Sequence, residues 1–187
     1  YFRDRVAQSP EDSLMRYGYA LTLDRNDQRQ LAVEQLRLAL EHDALDAHLL
    51  QELGRVYFLD GKYERARATL ESALPLTTHN AEGRFYLGRT LLETGDFEAA
   101  AEAFETVLRQ QSDYTDAYYF LGETRGKQGR MSDAHFHLGE GYRTLGNEDK
   151  AIEHFETALE LEPDFHDAAL ALADLYLMRG REEDYLR

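Results

Sequence analysis

The sequence predicts an all-α chain, a solenoid of antiparallel helix pairs stacked side by side. Three observations predict it. A pattern of small, large and glycine positions returns every 34 residues, from starts at 13, 47, 81 and 115. The three prolines, Pro10, Pro75 and Pro163, all fall outside the helix interiors of that register. No β-branched, alternating run of strand length stands out, and a hydrophobic share of 43% suffices for a core.

The unit is clearest over Ser132–Phe165. Counting from Ser132, Leu138 stands at position 7, Gly139 at 8, Tyr142 at 11 and Gly146 at 15. Ala151 follows at 20, Phe155 at 24, Ala158 at 27 and Pro163 at 32. Small residues at 8, 20 and 27 let two helix backbones cross closely, where larger side chains would hold them apart. Gly146 supplies the left-handed residue that ends the first helix, and Pro163 cannot continue the second. This pattern resembles the tetratricopeptide repeat (TPR). The resemblance implies a right-handed superhelix whose concave wall is lined by the first helix of each pair.

Residues 1–12 fit the remnant of a preceding unit, with Phe2 at 24 and Pro10 at 32, so the chain is expected to be cut from a longer polypeptide. Unit 13–46 carries Tyr19, Ala20, Leu23, Ala32, Leu36 and Ala39, with Asp27 replacing glycine at 15 as a weaker helix end. Unit 47–80 carries Leu53, Gly54, Tyr57, Gly61, Ala66 and Leu70, and unit 81–114 carries Leu87, Gly88, Leu91, Gly95, Ala100 and Phe104. Residues 115–131 give only a first helix, with Leu121, Gly122 and Gly129, and Arg125 stands where a large apolar residue is usual.

Then the register slips by half a repeat, to 132–165. Ala134 and Leu138 fit positions 20 and 24 of the unit before, while Leu138, Gly139 and Tyr142 fit 7, 8 and 11 of the unit after. An irregularity is expected near 131–147, as an extra helix or a change of curvature. Residues 166–187 form a partial unit or a capping helix, with Leu172, Ala173, Tyr176 and Gly180.

The formal net charge is −15, from 21 basic and 36 acidic residues. Phosphate backbones and anionic membrane surfaces need a basic face, so nucleic acid and membrane surfaces are excluded as general partners. No apolar run of about 18 residues is present, so membrane insertion is not expected. Without cysteine there are neither disulfides nor thiolate metal ligands, a composition that suits cytoplasm and periplasm alike. His135 and His137 stand two apart and point opposite ways on a helix, so they do not share a metal ion. The acidic runs Glu160, Glu162, Asp164 and Glu182, Glu183, Asp184 read as solvated faces and turns. No catalytic motif occurs; catalytic residues, metal ligands and cofactors are expected to be none.

In TPR proteins, positions 2, 5, 9 and 12 face the groove, and the resemblance assigns that role here. It gives Tyr17 and Leu21, then His48, Gln51, Arg55 and Phe58. It continues with Phe85, Arg89 and Leu92, then Tyr119 and Glu123, and finally Phe136, Glu140 and Arg143. Exposed aromatics along such a groove suit a protein or peptide segment, and Arg55 with Arg89 would form a basic spot able to hold a carboxylate. The bland alternative packs the aromatics between repeats and joins the arginines to internal ion pairs. Neither the Lys at 5 nor the Asn at 9 of chaperone-binding clamps appears at those positions here, so the resemblance does not extend to that partner class.

Two segments, AQSPEDSLMRYGYAL at 7–21 and DAHFHLGEGYRTLGNEDKAIEHFETAL at 133–159, resemble the C-terminal repeat region of bacterial periplasmic zinc metallopeptidases of the outer-membrane quality-control kind. That resemblance implies the interaction arm of a larger bacterial protein, a periplasmic setting, and zinc only in an upstream peptidase domain. The alternatives are a free-standing scaffold or assembly factor of the secretion or pilus lipoprotein type, and a module that homodimerises through its terminal repeats.

Overall fold

The computed structural model describes residues 2–42, 44–77 and 80–180, and among them it contains eleven α-helices, one short 3-10 turn and no strand. The chain divides into two compact units, Tyr1–Gly95 and Asp96–Arg187. No helix among the described residues is long and apolar enough to cross a membrane.

Unit 1 holds α1 (Phe2–Gln8), α2 (Ser13–Arg25), α3 (Arg29–Leu40), α4 (Ala47–Leu59), α5 (Tyr63–Ala73) and α6 (Ala81–Thr94). Side chains fix where its first helices start, by satisfying amides that have no partner inside the helix. Asp12 accepts from Met15 N–H at 3.0 Å, Asp46 from His48 and Leu49 N–H at 2.9 and 3.0 Å, and Asn80 from Gly83 N–H at 2.7 Å. Helix ends are set by a left-handed residue. Gly61, at φ 72°, lets Lys62 N–H close onto Tyr57 C=O at 2.9 Å after α4. After α2 the same turn is built on Asp27, at φ 61°, and Gln28 N–H reaches Leu23 C=O at 2.9 Å. Asp27 is the one non-glycine with positive φ among the described residues, which gives the weaker end expected there its physical form.

Helix pairs run antiparallel. Ser13 Oγ donates to Ala39 C=O at 3.2 Å, tying the start of α2 to the end of α3. The crossing of α4 and α5 leaves no room for a side chain at position 8: a Cβ on Gly54 would lie 2.5 Å from Leu70 Cγ. Ala66 and Ala73, at positions 20 and 27, are fully buried in the same crossing. The short α1 packs on α2, with the Phe2 ring seated beside Gly18.

Unit 2 holds α7 (Phe97–Gln110), α8 (Thr115–Lys127), α9 (Met131–Thr144), α10 (Glu148–Leu161) and α11 (His166–Met178). The half-repeat irregularity is made by α9 alone, which packs against both α8 and α10, with no helix inserted. Two adjacent residues explain how. A Cβ on Gly122 of α8 would lie 3.1 Å from Leu138 Cγ, and a Cβ on Gly139 would lie 2.6 Å from the Phe155 ring of α10. Successive residues of a helix point about 100° apart. One helix therefore offers a large side chain to the helix before it and a gap to the helix after it. Thr115 and Thr144 hydroxyls meet at 3.1 Å, so α8 and α9 are also antiparallel. Further on, Tyr176 O–H donates to Glu156 at 2.6 Å and Arg179 bonds Glu148 at 2.7 Å, joining α10 to the end of α11. Residues 181–187, with the acidic run Glu182, Glu183 and Asp184, lie outside the described residues.

Candidate functional site

In unit 1 the side chains assigned to the groove meet one another at a fixed offset. Tyr17 O–H and His48 Nε2 lie 2.9 Å apart with their rings edge to face, and Gln51 Nε2 donates to Glu82 at 2.9 Å. Each contact joins position 5 of one repeat to position 2 of the next, 31 residues on. A second row joins position 12 to position 9 at the same offset. Arg55 donates to Asp24 at 2.8 Å, and the Arg89 guanidinium lies 4.6 Å from the Phe58 ring centroid. The offset is a full repeat less about one helical turn, as parallel neighbours in a stack require.

The second row is largely buried. Arg55 also donates to Glu52 at 3.0 Å, and the three side chains are 15%, 12% (Asp24) and 8% (Glu52) exposed. Burial works against the guanidinium charge, but the bonds to Asp24 and Glu52 outweigh it, so its proton is held more tightly than in an ordinary arginine. Two expectations are corrected here. Arg55 and Arg89 do not form an open basic spot, because Arg55 is bound to two internal carboxylates and Arg89 stacks over Phe58 and, at 5.9 Å, Phe85. Phe58 and Phe85 are not exposed aromatics: both are buried, and Phe58 packs against Tyr63 and Tyr86 at 5.8 Å. Tyr17 and Gln51 are half-buried and still reach the surface.

The α8 stripe of the corresponding face in unit 2 is open. Tyr119 on α8 is 56% exposed, and Asp116 and Glu123 are exposed on either side of it. Spacings of three and four residues put all three on one stripe. Behind Tyr119, a cleft of about 200 Å³ runs between α8 and α9, walled by Leu138, Gly141, Tyr142 and Leu145. Tyr142 is a fixed wall, stacked on His154 at 5.3 Å and 9°, with Lys150 Nζ 4.9 Å from its ring centroid.

A second, more polar cleft of about 410 Å³ is lined by Glu105, Tyr118, Phe136, His137 and Glu140. Arg125, the residue out of pattern at position 11, pairs beside it with Glu105 and donates to Gln128 at 2.9 Å. Glu140 is buried and accepts from Arg143 at 2.6 Å. Burial, reinforced by the charge of Arg125, pushes the His137 imidazole down to about 4, so it is neutral at pH 7. His135 meets His154 across α9 and α10, the two Nδ1 atoms 3.0 Å apart, so one ring donates and the other accepts. Burial and the neighbouring His135 lower the His154 pKa.

Sequence reasoning missed Asp116, Tyr142 and Leu145 as neighbours of Tyr119. The available signal was the overlap of two registers in residues 131–147, which brings a first helix to the place of a second. What these surfaces offer is stacking, apolar contact and charge, the chemistry of recognition.

Family models described as tetratricopeptide repeat match residues 17–81 and 86–135, 57–107 and 132–165. Among curated proteins the chain is similar to Protein CTR9 homolog of Arabidopsis thaliana, 25% identical, over 93% of this chain and 18% of that protein. The chain therefore spans less than a fifth of that relative's length. Among solved structures it resembles YrrB, described as a TPR protein with an unusual peptide-binding site, at TM-score 0.61 and 22% identity, over 91% of this chain and 96% of YrrB. It also resembles a chain of the APC/C hetero-tetramer Cut9-Hcn1, at TM-score 0.64 and 17% identity, over 96% of this chain and 39% of that one.

Proposed function

The chain belongs to the tetratricopeptide repeat family, and from that premise we propose that it is a non-catalytic module that binds protein or peptide segments on the face of its first helices. The observation that carries the reading is the open stripe on α8, with Tyr119 and Glu123 beside an apolar cleft. In unit 1 the same face comprises Tyr17, Gln51, Arg55, Phe58, Phe85 and Arg89, where Tyr17 and Gln51 reach solvent while Arg55 is paired with Asp24 and Arg89 lies over Phe58.

Selection of random peptides of about twelve residues, displayed on phage, against the whole chain tests this reading. Enriched sequences should bind in solution, read by fluorescence anisotropy of the labelled synthetic peptide. If nothing enriches over an unrelated protein of equal acidity, the reading fails.

Two narrower readings concern what the module serves. A free-standing scaffold draws support from the similarity to CTR9 homolog and to the Cut9-Hcn1 assembly. The interaction arm of a bacterial zinc metallopeptidase draws support from the two segments at 7–21 and 133–159. Sequencing upstream of Tyr1 separates them: an HExxH helix with a downstream Glu ligand supports the arm, and its absence the scaffold. Homodimerisation through terminal repeats predicts a mass by light scattering that rises with concentration, and a constant monomer mass would exclude it.

A further inference from the structure

The geometry points to the α8–α9 cleft as the anchor for a linear segment carrying one large apolar side chain between two basic residues, an inference that rests on the protein-binding reading above. The cleft, at about 200 Å³, is the size of a single such side chain and is walled by Tyr119, Leu138, Tyr142 and Leu145. Leu145 is 64% exposed and Tyr119 56% exposed at its mouth, so a side chain entering it would cover apolar surface now facing water.

Charge supplies the rest of the occupant. Asp116 lines the cleft, and Glu123 lies two turns further along the same stripe of α8. Neither carboxylate is in an ion pair among the described residues, in contrast to Asp24 and Glu52 on the unit 1 face. Lys127, one turn beyond Glu123, does not reach it, and Lys150 is engaged with the Tyr142 ring. Asp116 and Glu123 are separated by about 10 Å at roughly 1.5 Å per residue. An extended segment advances about 3.3 Å per residue, so its two basic residues would stand about three apart, with the apolar residue between them. A body of net charge −15 adds long-range attraction for such a segment.

The slip in register explains why Tyr119 is uncovered. In unit 1, the residue 31 further on covers position 5: His48 meets Tyr17 and Glu82 meets Gln51. Counting 31 on from Tyr119 reaches Lys150, which the half-repeat slip has carried onto α10, where it sits over Tyr142.

The phage selection also tests this inference, with a separate readout. The enriched peptides should share an apolar residue flanked by Lys or Arg. Binding of the labelled consensus peptide to the whole chain should weaken at least about tenfold with the Asp116→Lys, Glu123→Lys double variant, and similarly with Leu145→Glu. The Glu98→Lys, Glu102→Lys double variant on α7 changes net charge equally and should leave affinity within about twofold. All altered residues are exposed, and circular dichroism and melting should match the parent chain. Enriched peptides that lack basic residues, or whose binding ignores Leu145→Glu and the α8 pair, would overturn the inference and leave the protein-binding reading standing. Failure of any peptide to enrich would remove both.

Discussion

On the first-helix face of unit 1, Tyr17, Asp24, Gln51 and Phe58 each meet a partner 31 residues later, in His48, Arg55, Glu82 and Arg89. On α8 of unit 2, Tyr119 stands at position 5, with Asp116 at position 2 and Glu123 at position 9, and all three stay exposed. The helix pair is the same in both units; the register differs. Evenly spaced repeats bring complementary side chains to a constant offset, and the face stitches itself closed. A slip of half a repeat breaks the offset after α8, carries Lys150 onto α10 and leaves Tyr119 uncovered.

The sharpest way to break the shared helix is at Phe155, fully buried against Gly139. Phe155→Ala should cost about 3–5 kcal/mol in denaturant unfolding and loosen α9, one wall of the open cleft. A loss below about 1 kcal/mol would mean that α9 does not depend on α10.

Acid should distinguish the units next. His137 titrates near 4 in the folded chain and near 6.5 unfolded, so between those values the unfolded chain binds more protons. Its contribution, about 3 kcal/mol, is fully present above about pH 6.5 and is lost as pH falls toward 4. The His137→Gln variant should show a flatter decline in melting temperature across that window than the parent chain. Identical slopes would contradict a neutral, buried His137.

Arg55 sharpens the contrast between closed and open faces. Arg55→Ala leaves the Glu52 carboxylate buried without its cation, and Asp24 with Arg29 Nε at 3.7 Å, and should cost about 1–3 kcal/mol. Asp116→Ala and Glu123→Ala should each stay within about 0.5 kcal/mol. Equal effects on stability would erase the distinction. One change is expected to be a gain: Asp27→Gly removes a Cβ from the left-handed region and should add about 0.5–1 kcal/mol, read as a higher melting temperature.

Much of the fold is legible in the sequence, because its determinants are local. First helices begin at Ser13, Ala47, Ala81 and Thr115, 34 residues apart, and at His166, 34 residues after the slipped start at 132, where small residues and glycine ends place them. Even the double duty of α9 is written in adjacent letters, Leu138 and Gly139. The surface is less legible. Position alone says that Arg55 and Phe58 lie on the first-helix face, but not that Asp24 and Arg89 reach across to take them. Those contacts depend on side chains one repeat away, and they could be read only by comparing residues 31 apart. The cleft beside Tyr119 was hidden for the opposite reason, since it follows from contacts that the slipped register fails to make.

The central claim is that unit 1 closes its own first-helix face and unit 2 leaves its face open to a partner. Titrating the ¹⁵N-labelled whole chain with a selected peptide and following amide shifts tests it most directly. Shifts confined to Thr115–Glu123 and Leu138–Leu145 are the predicted result; shifts centred on Tyr17, Gln51, Arg55 and Phe58, with α8 and α9 unmoved, would contradict it.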